Sequence, residues 1–141
     1  MPQSTWLVVV ASLSALTLAM VMAQQTTSPP ASGLWHLLPV DASEEVIPQH
    51  RVDIRLYMSP APIRAAMVHR ATNEDIRPFS VAEFDGQVLR LGQRSEVPGS
   101  EGKLVVLRMT WDGVRFTGLY EDDEGRPMPG AVALKLIKAA Q

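Results

Sequence analysis

The stretch Lys103–Glu121, KLVVLRMTWDGVRFTGLYE, decides the fold. Two β-prone runs flank Asp112-Gly113, a pair that favours a two-residue hairpin turn because both residues tolerate positive φ. With those two as the loop, Trp111 stands opposite Val114, Met109 opposite Phe116, Leu107 opposite Gly118 and Val105 opposite Tyr120. Alternation puts these eight residues on one face, nearly all of them large and apolar. The other face carries Arg108, Thr110, Arg115 and Thr117, with Val106, Leu119, Leu104 and Glu121 further from the turn. A slip of one residue would expose the large apolar set to water, so the pattern specifies which face is inward.

The same reading extends along the chain. Asp85-Gly86 lies between Phe79–Phe84 and Gln87–Leu91. A two-residue turn there gathers Phe84, Ala82, Ser80, Leu89 and Leu91 on one face, with Glu83 and Arg90 diagonal on the other. Arg51–Met58 alternates strictly, with Val52, Ile54, Leu56 and Met58 against Arg51, Asp53, Arg55 and Tyr57, the period of a half-buried strand. Gly33–Leu38 reads as a first strand and Ala131–Lys138 as a last one. Ile63–Arg70 is a third strand or a short helix, since Ala65-Ala66-Met67 suits both; Thr72–Pro78 reads as a polar loop. Most connections are too short for a crossover, so neighbours pair antiparallel. The expected fold is all-β: an antiparallel up-and-down meander of about eight strands that hides its edges by closing into a barrel.

Composition narrows the function. The 141 residues carry a net charge of −2 with no basic stripe, which argues against a nucleic-acid partner. There is no Cys, so neither a disulfide framework nor a thiolate site is available. Residues 1–23 contain no charged side chain, and Trp6–Ala23 is an apolar or small-residue run ending Val21-Met22-Ala23. This pattern is that of a signal peptide removed after Ala23, placing the protein in the periplasm or outside the cell. The alternative is an uncleaved membrane anchor, since about 18 residues is the lower limit for a spanning helix. The membrane is a partner only in that case. Residues 24–32, QQTTSPPAS, read as a flexible linker, and 33–141 as the barrel domain.

Gly33-Leu34-Trp35 places a G-x-W on the first strand of an eight-stranded meander. This resembles the calycin superfamily, which includes lipocalins, fatty-acid-binding proteins and avidins. The resemblance implies that Trp35 closes one end of the barrel, under a basic residue from the last strand. Lys135 or Lys138 stands where the family more often has Arg. The chain is short for a lipocalin and nearer an avidin in size, and it matches no ligand-binding motif of any branch.

No catalytic or metal constellation emerges. His36, His50 and His69 lack the spacing of a metal pair, so no metal or other cofactor is expected. Asp122-Asp123-Glu124-Gly125 lacks the alternating ligands of a calcium loop and reads as a solvated loop tip. Asp53 and Glu83 are acid–base candidates only if the fold joins them. No G-x-S-x-G elbow or glycine-rich phosphate loop is present. The chain therefore reads as a non-enzymatic exported protein. Leu107, Met109, Phe116 and Tyr120 either pack a core or line a cavity for a small apolar ligand, because barrels of this size do one or the other. Tyr120 alone among them has a hydroxyl to orient a ligand's polar end. The alternative is an envelope protein with a filled barrel that serves a structural role or binds a protein partner.

Overall fold

The structure, a computed structural model, describes residues 27–40 and 51–141. The expected leader, residues 24–26 of the linker and His50 lie outside them. The described chain is all-β. Its strands are β1 (Gly33–Pro39), β2 (Val52–Tyr57), β3 (Arg64–Val68), β4 (Asp75–Pro78), β5 (Val81–Phe84), β6 (Val88–Arg94), β7 (Leu104–Trp111), β8 (Phe116–Glu121) and β9 (Val132–Ala139). They form one antiparallel sheet in the order β4-β3-β2-β1-β9-β8-β7-β6-β5.

The two edges of this sheet are consecutive in the chain. Only Phe79 and Ser80 separate β4 from β5. Phe79 N–H donates to Ala65 O on β3 at 2.9 Å, and Ser80 N–H donates to Gly92 O on β6 at 2.9 Å. β4, the bend and β5 are thus one bent strand shared between β3 and β6, and the sheet curls round on itself. The sheet thus has nine strands where about eight are expected, the addition being β4, and β1 pairs with β9 at the middle of the curled sheet. Curling removes the long unpaired edges that would otherwise invite association.

Alternation selects the inner face, which collects Trp35, Leu37, Ile54, Leu56, Leu89, Leu91, Leu107, Met109, Trp111, Phe116 and Leu134 as one core. Each such side chain contributes about 1.5–3 kcal/mol on burial.

Several local readings are corrected or resolved. The stretch expected as a polar loop, Thr72–Pro78, contains β4. Nothing in DIRP alternates. The strand forms because Asp75 is bound by Arg55 and Tyr57 of β2 across β3, while Arg77 and Pro78 pair with Met67 and Ala66. The helical alternative for 63–70 is not adopted.

Both Asp-Gly hairpins are shifted by two residues from the expected register. Trp111 faces Phe116, Met109 faces Gly118 and Leu107 faces Tyr120. Phe84 faces Leu89, and Glu83 faces Arg90 directly, 3.1 Å from it. Each loop is four residues long, closed by Asp112 N–H to Arg115 O at 3.1 Å and by Asp85 N–H to Val88 O at 3.3 Å. The cause is the Asp side chain. Asp112 Oδ1 accepts from the backbone N–H groups of Val114 and Arg115, and Asp85 Oδ1 from those of Gln87 and Val88. Positive φ then falls on Gly86 and Gly113 alone, so the Asp residues avoid the left-handed region that a two-residue turn would impose. A shift of two preserves the inward set, except that Val114 moves into the loop and is exposed.

Thr27–Ser32, expected as part of a flexible linker, is packed against the sheet. Pro30 is buried, Ser32 Oγ accepts from Met58 N–H at 2.7 Å, and Ser32 O accepts from Ala140 N–H at 2.9 Å.

Candidate functional site

The interior divides into a filled end and an open end. The filled end holds the aromatic residues. Trp35, on β1, meets Trp111 edge-on with ring centroids 6.0 Å apart and Phe116 at 5.5 Å. Trp111 and Phe116 lie 4.7 Å apart, and Phe84 adds an edge contact to Phe116 at 5.9 Å. Such contacts add about 0.5–1.5 kcal/mol each beyond burial. The Thr27–Ser32 arm crosses this end. Trp111 Nε1 donates to Ser28 O at 2.7 Å, and Trp35 Nε1 donates to Ala31 O at 3.2 Å. Both indole donors are thereby satisfied by an extended backbone that also covers their rings.

Towards the other end the lining mixes aliphatic residues with Met67, Phe79 and Tyr120, and the side chains leave space unfilled. A cavity of about 600 Å³ results, within the range of small-molecule sites. Its wall includes Leu37, Val52, Ile54, Leu91, Val105 and Leu107. Four neutral polar side chains share that wall: Ser95 and Ser100, whose hydroxyls bond to each other at 3.0 Å, and two others, the Gln93 amide from β6 and the Tyr120 hydroxyl from β8. Neither of the last two is hydrogen-bonded by another group among the described residues. Burial raises the Tyr120 pKa, because the surrounding apolar groups disfavour the phenolate.

Charges gather at the mouth: Arg77, Arg94 and Lys103 with Glu96, Asp122 and Asp123. Most are already engaged. Arg77 donates to Arg94 O at 2.8 Å and lies 3.2 Å from Glu96, bridging the gap where β4 and the end of β6 part. Arg94 Nη1 donates to Gly102 O at 2.7 Å. Asp122 holds Arg126 at 3.0 Å, and its pKa is lowered chiefly by the Arg126 backbone N–H.

The four residues expected to line a cavity separate. Leu107 and Tyr120 line it. Met109 and Phe116 are fully buried in the filled half, Phe116 as a member of the aromatic cluster. Trp35 lies in that cluster, with Lys138 opposite Leu34 and Lys135 opposite His36 on β9. Asp53 and Glu83 are not brought together: Asp53 is buried against Arg51 at 2.9 Å, with His36 Nε2 at 3.5 Å, while Glu83 pairs with Arg90. His69 is a turn residue whose Nδ1 accepts from Ala71 N–H at 3.2 Å and Thr72 N–H at 3.3 Å. Among the described residues no three His, Asp or Glu side chains converge as a metal site requires.

The sequence reading ends the strand at Leu91 and so misses Gln93, which belongs to β6. Extending the alternation of Leu89 and Leu91 by one step would have turned it inward.

Comparison of the chain with family models, with curated proteins and with solved structures finds no match.

Proposed function

We propose that this chain is an exported, non-enzymatic β-barrel protein that binds one small, mostly apolar molecule in the open half of its barrel. The observation that carries the reading is the cavity of about 600 Å³ with its aliphatic wall. A filled barrel serving a structural role would have closed that space, since unfilled apolar volume is destabilising. Export is supported by the uncharged run Trp6–Ala23. A calycin-like relationship is supported by Gly33-Leu34-Trp35 on the first strand of a circular meander.

Native mass spectrometry of protein taken from its own host tests the binding. The expected result is a small-molecule adduct, or stoichiometric uptake of an apolar fluorescent probe by protein stripped of it. A bare polypeptide that takes up no probe would overturn the reading in favour of the filled barrel. The intact mass of the same exported material should begin at Gln24; a species retaining Trp6–Ala23 would indicate an anchor instead.

A further inference from the structure

Resting on that reading, the geometry points to a ligand class: a neutral molecule with an apolar body and a hydroxyl or carbonyl oxygen, held by Gln93 and Tyr120, in preference to a carboxylate or other anion. Apart from the charged residues at the mouth, the lining's hydrogen-bonding side chains are neutral, and Ser95 and Ser100 already bond each other, which leaves Gln93 and Tyr120. The Gln93 amide donates and accepts, and the Tyr120 hydroxyl does both, so together they suit an alcohol, ketone, ester or amide. They reach the cavity from β6 and β8 on either side of β7, where Gln93 faces Val105 and Leu107 faces Tyr120. Neither has a partner among the described residues, so a ligand oxygen replaces water and no protein contact is broken.

An anion is poorly served. Three cations and three anions line the mouth, leaving no excess positive charge. Arg77 is committed to Glu96 and the Arg94 carbonyl, and Arg94 to the Gly102 carbonyl. Lys103 is exposed, where water screens its attraction. Moving a carboxylate past them into an aliphatic wall removes its hydration without a compensating charge. Burial also favours the uncharged form of Tyr120, which leaves its proton available to a ligand oxygen.

The test is competition for a bound apolar fluorescent probe by 1-decanol and by decanoate at pH 8, where the carboxyl is ionised. The protein is used in the form its host produces. The expected result is displacement by decanol at a concentration about tenfold lower than by decanoate, with the ratio falling severalfold in Gln93→Leu and in Tyr120→Phe. Equal or tighter binding of decanoate overturns the inference while leaving the cavity reading intact. So does a ratio that neither substitution changes. Absence of probe binding overturns both. If a substituted protein fails to fold, the ratio in the unaltered protein still decides.

Discussion

Trp111 donates its indole N–H to the backbone carbonyl of Ser28, 83 residues away in sequence, at 2.7 Å. This bond ties the tip of the central hairpin to the arm that precedes the first strand. It makes Thr27–Ser32 part of the fold, together with the Trp35–Ala31 and Met58–Ser32 bonds.

Trp111→Phe keeps most of the buried ring and removes the donor. The expected cost is about 1–3 kcal/mol, because Ser28 O loses its partner at a partly buried site. Trp111→Ala should cost about 3–5 kcal/mol through cavity formation. Thr110→Ala, on the exposed face beside it, should cost under about 0.5 kcal/mol. Denaturant titration measures all three, and a larger loss for Thr110→Ala than for Trp111→Phe would contradict this placement of the hairpin.

The three Asp residues that open loops, Asp85, Asp112 and Asp122, share one device. Backbone N–H donors hold each carboxyl below its ordinary pKa, chiefly those of Val88, Arg115 and Arg126 respectively. Because the folded pKa lies below the unfolded one, their stabilisation is present above about pH 4 and is lost as pH falls through the folded values. Asn keeps the side-chain acceptor but does not ionise in this range. The combined variant D85N/D112N/D122N should therefore show a shallower fall of Tm between about pH 5 and pH 2 than the parent protein. Parallel Tm profiles would rule the device out as a source of acid sensitivity.

Two glycines should be intolerant for different reasons. Gly113 has φ of +99°, so Gly113→Val imposes a left-handed conformation on a β-branched residue. Gly118 lies where β8 presses on β7, and a Cβ there would come 2.0 Å from Arg108 O and 2.8 Å from Met109 Cα. Gly118→Ala must displace backbone and should cost more than about 2 kcal/mol. Gly86→Ala, at φ +104° with open space around it, should cost less than Gly118→Ala in the same titration. The reverse order would mean that strand separation at Gly118 is cheap.

Much of the meander was legible because alternation is local: β2 and β7 declare their faces within eight residues. The hairpin registers were not, because Asp-Gly admits two loop lengths, and the choice rests on where the Asp carboxylate finds donors. β4 was illegible for a different reason. Its four residues are specified by Asp75 meeting Arg55 and Tyr57, partners about twenty positions earlier, and by the need of β3 for a neighbour. The arm, too, reads as a linker because its composition is that of one; the two indole donors and the Met58 and Ala140 N–H groups that bind Ser32 make it structural. For the site, parity placed Leu107 and Tyr120 inward, but how far along the barrel the filling stops depends on packing among Trp35, Trp111 and Phe116. No periodicity encodes that.

The boundary between filled and open halves yields a separation of effects. Phe116 is fully buried among three aromatic rings, so Phe116→Ala should destabilise by about 3–5 kcal/mol. Leu107 is 2% exposed but stands in the cavity wall, so a larger side chain there would project into the cavity. Leu107→Phe should therefore change stability by less than about 1.5 kcal/mol, while lowering the capacity for an apolar probe by reducing the cavity volume. Denaturant titration and probe binding on the two variants check the pair. Loss of stability in Leu107→Phe comparable to that of Phe116→Ala would mean that the space beside Leu107 is already occupied by packed side chains, which would remove the basis for a ligand site.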